Sequence, residues 1–464
     1  MPVPRVRRLL EPGPRQDASP ASHRESSTEF LDRAAGEYWQ AVRDLMNDWL
    51  SRVPPQERRA LAGRLRRPDD HTFQAAFLEL YLHESLIRSG LDLEIEPALP
   101  GTDRRPDFLA RSSGESFYLE ARSPSTSRTR QGTAGRISDV YDGLNKTDSP
   151  NFWLAIDINA AGERALSTKP LRAQLEAWLK GLDPDDLITR EEWPPFSWDR
   201  EDWSITLRAL PKSPSMRGSD TGLRPLAIYG SGGEAQWVDD AGVLTDALSD
   251  KGNAYGRPEH GFMVAIGTSF FSDDDFGVKN ALYGPEQWVI DPVEGRFLGA
   301  ARGPGGYFHA GDGHWAHQHV SGVLIVNNLH PGAFTKQTPT YWPNPRATHE
   351  VTVPEAWDVV ALVDGHLKRT PATLSQHELF HLPEPGRPAR DSPSSVVPWR
   401  TRLGQCSTPS RSFAATKNGY NVFQRDRFDR FVAEQYAAGR SLREVGELTG
   451  RTQTAVRRSE ATQV

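Results

Sequence analysis

Cysteine, long apolar runs and several common nucleotide-binding motifs are missing from this chain of 464 residues, and each absence narrows its chemistry. The single cysteine, Cys406, excludes an intramolecular disulfide framework and a zinc cluster built on cysteines. The sequence has no apolar run of about 18 residues, the length that a membrane-spanning helix needs. Arg5, Arg7 and Arg8 have no long apolar stretch behind them, unlike a secretion signal. We therefore expect a soluble, cytoplasmic protein.

Three motifs of common enzyme classes are also missing. The sequence has no GxxxxGK[ST] phosphate-binding loop, no GxGxxG dinucleotide motif and no GxSxG turn. These absences argue against a P-loop NTPase, a Rossmann oxidoreductase and a serine hydrolase. The formal net charge of -6 means that any contact with nucleic acid must come from a local basic patch.

The candidate catalytic residues lie in a predicted hairpin over residues 105–122. Short apolar runs, Phe108 to Ala110 and Phe117 to Leu119, lie on either side of a Ser-Ser-Gly turn. Because side chains alternate along a strand, Glu120 shares a face with Arg122, and an antiparallel partner brings Asp107 beside them. Two carboxylates and a cation are therefore expected at one end of the hairpin. A surface hairpin with solvated carboxylates is the simpler alternative.

This layout resembles the PD-(D/E)xK nuclease superfamily, which has the restriction-endonuclease-like fold. Pro106-Asp107 matches the PD element, and Glu120-Ala121-Arg122 matches (D/E)xK with arginine in the lysine position. The resemblance implies an α/β fold with a mixed sheet flanked by helices. It also implies Mg²⁺ (or Mn²⁺) held by Asp107 and Glu120, with the backbone carbonyl of Ala121 as a further ligand.

Several predicted elements agree with that resemblance. A capping-box pattern at Ser26 opens a helix that runs to about Trp49. A helix over residues 69–89 and a strand over 91–97 precede the hairpin, and a helix, the strand 152–158 and another helix follow it. Glu79 lies at the edge of the apolar stripe of the 69–89 helix. The resemblance makes Glu79 a third acidic ligand, although an ordinary boundary carboxylate explains it as well.

Arginine in the lysine position puts the activity in question. Mg²⁺ prefers a few carboxylate oxygens plus water, and it lowers the pKa of the attacking water. Arg122 can stabilise negative charge but cannot act as a general base. Activity therefore needs another lysine, for which Lys251 is a candidate, or Arg122 simply pairs with Asp107 in an inactive site. The arginines that follow Pro55, among them Arg64, form either a solvated face or a phosphate-facing patch.

A second group of polar residues lies in the Gly-rich stretch 307–320. Imidazole groups two and three positions apart can bind zinc, but this stretch has no fixed helical pattern such as HExxH. The stretch reads as an insertion before the strand 321–327. The members of this group are His309, Asp312, His314, His317 and His319.

The C-terminal residues resemble the helix-turn-helix units of actinobacterial regulators and recombinase-like proteins. Ser441 caps a short helix, a turn containing Gly450 follows, and Thr452 caps a last helix. The resemblance implies contact with duplex DNA, although some such helix pairs mediate only protein contacts. The residues expected to face DNA are Arg451, Thr452, Gln453, Thr454, Arg457 and Arg458.

These observations give four predicted regions. Residues 1–26 are expected to be disordered, 27–380 to form the nuclease-like domain, 381–420 a Pro/Ser/Arg-rich linker and 421–464 a small all-α helix-turn-helix domain. The function expected is a metal-dependent DNA endonuclease, with a restriction or defence role by analogy of fold. The alternative is a non-catalytic DNA-binding or regulatory protein on a nuclease-like scaffold. DNA is the expected partner, and a homodimer stays open.

Overall fold

A computed structural model describes residues 8–382 of the chain with internal gaps. The predicted helix-turn-helix, with its proposed DNA-contacting residues from Arg451 to Arg458, lies outside the described residues. So do Lys251, Asp312 and nearly all of the predicted linker. The gaps are residues 125–127, 189–193, 219–223, 231–243, 249–255, 257, 269–274, 291–295 and 312–313.

The described part of the chain is mixed α/β. One short helical segment, residues 244–248, is left without a label. The labelled helices are α1 (Ser27–Arg33), α2 (Glu37–Arg52), α3 (Pro55–Leu65), α4 (Asp70–Arg88), α5 (Arg128–Leu144), α6 (Thr168–Lys180), α7 (Pro184–Ile188), α8 (Phe276–Tyr283) and α9 (Gln376–Phe380). The strands are β1 (Asp92–Ile95), β2 (Phe108–Arg111), β3 (Ser116–Arg122), β4 (Phe152–Ala160), β5 (Pro195–Arg200), β6 (Trp203–Pro211), β7 (Leu226–Gly230), β8 (Gly261–Thr268), β9 (Glu286–Ile290), β10 (Phe297–Arg302), β11 (His309–Gly311), β12 (His314–Trp315), β13 (Gly322–Asn327), β14 (Thr340–Pro343), β15 (Asp358–Val363) and β16 (His366–Thr370).

Eight strands form the main sheet, in the order β1-β2-β3-β8-β13-β14-β15-β16. The predicted hairpin is β2 and β3, antiparallel to each other, with β1 outside β2. On the other side, β3 pairs in parallel with β8, and β8 with β13. The predicted mixed sheet flanked by helices is therefore present.

Two apolar cores lie on the two faces of this sheet. On the first face, Phe117 and Leu119 pack with residues of α1 to α4, and α9 closes the layer. On the second face, Tyr118 and Val264 pack with α8 and with the segment 244–248. Because side chains alternate along β3, Glu120 and Arg122 belong to the second face.

The predicted strand over residues 152–158 is present as β4. It belongs to a separate sheet with the order β5-β6-β4-β7, covered by α5, α6 and α7. The burial of β4 alternates, whereas every residue of β8 is buried. An alternating strand suits a sheet covered on one face, and a fully buried strand suits the centre of a parallel arrangement. β8 therefore takes the place beside β3.

Two predictions about the N-terminal region also differ from the structure. Residues 8–26, expected to be disordered, pack on the protein: Leu9 and Leu10 are buried, and their N–H groups donate to Asn47 Oδ1. The capping box of Ser26 is present, but its helix stops at Arg33 and a new helix begins after Gly36. Gly36 has a φ of 111°, a backbone conformation that favours glycine and interrupts a helix.

None of the described helices is long and apolar enough to cross a lipid bilayer.

Candidate active site

The candidate site is the open end of the β2–β3 hairpin, where β2 begins and β3 ends. Phe108 of β2 pairs with Leu119 of β3, so the preceding Asp107 and the following Glu120 are cross-strand neighbours. Asp107 Oδ2 accepts a hydrogen bond of 2.6 Å from the backbone N–H of Ala121. Its backbone carbonyl accepts one from the N–H of Glu96. These bonds fix Asp107 against β3 on one side and against the end of β1 on the other.

Glu120 is the most buried acidic group at this end. Only 4% of the residue is exposed, and its neighbour on β8 is Val264. Arg122, two residues further along the same face, is half-buried beside Ile266. A carboxylate with this little exposure is retained only where cations or hydrogen-bond donors stabilise its charge. The register of β2 and β3 thus places Asp107 opposite Glu120, with Arg122 on the face of Glu120.

Glu79 belongs to the helical layer on the first face of the sheet. It lies on α4 one turn before His83, whose ring is 6.3 Å from that of Phe108. Its partner is Arg64 of α3, which donates from Nη1 to Oε1 and from Nη2 to Oε2, each at 2.5 Å. The side chain of Glu79 is 20% exposed and that of Arg64 is 42% exposed. Both Glu79 oxygens are therefore bound by one guanidinium.

Arg64 also interacts electrostatically with acidic residues beside the hairpin. Its pKa is raised, first by the hydrogen bonds to Glu79 and further by the negative charges of Glu79, Asp107 and Glu96, while burial acts in the opposite direction. Arg64 is therefore bound to Glu79 of the helix and is also stabilised by the charge of Asp107.

The predicted set of three acidic metal ligands is not assembled. Among the residues that the structure describes, no group of three Asp, Glu, His or Cys side chains is placed to hold a metal ion. The sheet gives the reason, because α4 covers the first face whereas Glu120 belongs to the second. Asp107 and Glu120 remain as a pair of neighbouring carboxylates, and Glu79 is bound by Arg64.

The histidine stretch contains a short hairpin, β11 with β12, and a ring stack. His317 lies parallel to Tyr307 with ring centroids 4.0 Å apart, and burial followed by the charge of His319 lowers the pKa of His317. The described histidines form no three-ligand group. Asp312, the acidic member of the predicted set, lies outside the described residues.

The sequence did not indicate the contact between Arg64 and Glu79. In the sequence Arg64 is one of a group of arginines, and no local spacing connects it with Glu79, fifteen positions later. Arg104 and Arg105 are exposed and directly precede Pro106 and Asp107. Their position in the sequence next to a PD element was the available signal.

Comparisons with protein-family models, with curated proteins and with solved structures found no match for this chain.

Proposed function

We propose that this chain is a metal-dependent endonuclease that hydrolyses phosphodiester bonds of DNA. The observation that carries the proposal is the placement of Asp107 beside Glu120 at the open end, with Arg122 on the face of Glu120. The hydrogen bond from Ala121 to Asp107 holds the first carboxylate in position. The helix-turn-helix resemblance of the C-terminal residues adds a means of holding duplex DNA.

The residues at the open end fit a hard divalent cation. Mg²⁺ is commonly held by one or two carboxylates, with water and substrate phosphate completing its shell, so a third acidic ligand is not required. Asp107 and Glu120 would hold the ion, and the family resemblance adds the carbonyl of Ala121. When bound, such an ion neutralises charge on the phosphate and makes a bound water more acidic.

Arg122 has a role other than that of the lysine in the motif. An arginine guanidinium does not act as a general base in proteins, so Arg122 is not expected to take a proton from water. It is instead suited to stabilise the negative charge that develops on the phosphate oxygens. The proton of the attacking water must then go to a group other than Arg122.

The second candidate function is a non-catalytic DNA-binding protein that keeps a nuclease-like scaffold. Two observations favour it: arginine occupies the lysine position, and Arg64 occupies both oxygens of Glu79. Both candidate functions include DNA binding. They differ in whether bonds are broken.

Incubation of supercoiled plasmid with purified protein separates the two functions. Nicking is expected with Mg²⁺ or Mn²⁺, and none is expected with EDTA or in Asp107→Ala and Glu120→Ala variants whose folding is checked by circular dichroism. A wild-type protein that shifts duplex DNA but never nicks it would favour the non-catalytic function. Nicking that survives both substitutions would place the active site elsewhere.

A further inference from the structure

We propose that Arg64 binds a backbone phosphate of DNA beside Asp107, and that Glu79 is the residue that positions Arg64 rather than a ligand of the metal. This inference deepens the proposed function, on which it rests for the identity of the substrate. Its basis is the two-point contact between Arg64 and Glu79, together with the action of the Asp107 charge on Arg64.

The geometry of the pair fixes the guanidinium and leaves it accessible. A bidentate contact uses two of the five N–H donors of arginine and sets the plane of the group. The Arg64 side chain is 42% exposed, so its outer side faces solvent, where a phosphate can approach. Planar, paired donors match the oxygens of a phosphate better than the single charge of lysine does.

The surroundings of Arg64 suit an anionic strand. Arg104 and Arg105 are exposed in the segment that leads to Asp107, and Arg105 donates to the carbonyl of Glu96 at 3.3 Å. The negative charges of Asp107 and Glu96 both raise the pKa of Arg64, and Arg105 contacts Glu96 through its backbone carbonyl. In a chain with a net charge of -6, contact with a DNA backbone requires local cations, and these arginines are cations beside the hairpin.

The position of Glu79 argues against a role in metal binding. α4 covers the first face of the sheet, whereas the Glu120 side chain belongs to the second. Both oxygens of Glu79 accept from Arg64. A residue held in this way orients its partner, as an outer-shell carboxylate orients a histidine ligand.

The test measures DNA binding and metal binding separately in Arg64→Gln and Glu79→Gln. DNA affinity is measured in Ca²⁺, with Arg457→Gln and Arg458→Gln in the background to weaken the predicted helix-turn-helix. Mn²⁺ affinity is measured by calorimetry without DNA. The matched control is Arg111→Gln, because Arg111 pairs with Glu94 at the turn end of the same hairpin and is 45% exposed.

Arg64→Gln is expected to weaken DNA binding by roughly tenfold, the effect of one charge-assisted hydrogen bond. The slope of log affinity against log salt should fall by about 1. Glu79→Gln should weaken DNA binding in the same direction and leave Mn²⁺ affinity unchanged. Arg64→Lys should recover part of the DNA affinity, and Arg111→Gln should change neither quantity.

Two results would overturn the inference. One is a loss of Mn²⁺ affinity in Glu79→Gln as large as that in Asp107→Asn, which would make Glu79 a ligand. The other is DNA binding by Arg64→Gln equal to that of the Arg111→Gln control. If the wild type never cleaves DNA but Arg64→Gln weakens DNA binding, the proposed enzyme activity is wrong and this inference stands. If the wild type cleaves DNA and Arg64→Gln binds DNA as tightly as the wild type, the enzyme activity stands and this inference is wrong.

Discussion

Helix α4 carries two acidic residues, Glu79 and Glu84, that are both held by arginine but lie in very different surroundings. The Glu84 side chain has no exposure, and it accepts from Arg52 of α2 and from Arg88 of its own helix. Arg88 also donates to the carbonyl of Leu379 in α9 at 3.1 Å. Glu84 therefore joins three helices in the interior.

Glu79, by contrast, joins α3 and α4 through Arg64, whose side chain is 42% exposed. The comparison shows that an arginine–carboxylate contact does not by itself indicate whether the two residues stabilise the fold or serve a function. The difference lies in burial and in what else the arginine reaches: a helix end for Arg88, and the charges of Asp107 and Glu96 for Arg64. Glu84 is thus expected to matter for stability and Glu79 for DNA binding.

The largest expected change in stability comes from Glu84→Gln. Glu84→Gln removes the buried carboxylate that Arg52 and Arg88 share and leaves them only the more exposed Asp48, so the free energy of unfolding should fall by roughly 3 kcal/mol. Urea denaturation followed by circular dichroism measures this loss. The metal and DNA affinities of the folded variant should equal those of the wild type. A stability loss below that of Glu79→Gln would contradict the comparison.

The buried Glu84 should also contribute to the pH dependence of stability. Burial raises the pKa of Glu84, but its contacts with His83, Arg52 and Arg88 reverse this, so the net shift is downward. His83 Nδ1 is 3.7 Å from the carboxylate, beyond hydrogen-bonding distance, so we attribute most of the reversal to the arginines. A lowered carboxyl pKa stabilises the folded state above the unfolded value, and this contribution disappears as the pH falls through the folded value.

Denaturation midpoints between pH 7 and pH 3 test this expectation. Wild-type stability should decline below the ordinary glutamate pKa of about 4.5. The decline should be less steep in Glu84→Gln, which has no carboxyl group to protonate at this position. Parallel curves for the two proteins would show that other acidic groups control acid unfolding.

The smallest expected change in stability comes from Glu79→Gln. Because Arg64 is 42% exposed, solvent screens the contact, and the free energy of unfolding should fall by no more than about 1 kcal/mol. Arg111→Gln, with a similarly exposed arginine at the turn end, should lose no more than this. A loss of several kcal/mol in Glu79→Gln would make the Arg64 contact a structural one.

The local features of this fold could be predicted from the sequence. The hairpin, the helix α4 and the strand β1 before the hairpin all have patterns within a few residues, and the structure places each where it was expected. The convergence of Asp107 and Glu120 also followed from strand alternation alone. Local chemistry is sufficient for such elements.

Long-range features could not be predicted in this way. β3 pairs with β8, and the strands of the second sheet lie between them in the sequence. No short sequence pattern indicates which apolar strand pairs with the hairpin. The separation of Glu79 from Glu120 depends on which face α4 covers, which only the packing decides. For the same reason, Arg64 could not be distinguished from the other arginines of its helix.

The most direct test of the open end as a metal site is iron-mediated cleavage of the protein itself. Fe²⁺ takes the place of Mg²⁺ and, with ascorbate and peroxide, generates radicals that cut the chain near the bound ion. We predict cuts close to Asp107 and Glu120, suppressed by excess Mg²⁺ and absent in Asp107→Asn. Cuts confined to the stretch between His309 and His319, or a pattern unchanged in Asp107→Asn, would contradict the assignment of the hairpin as the metal site.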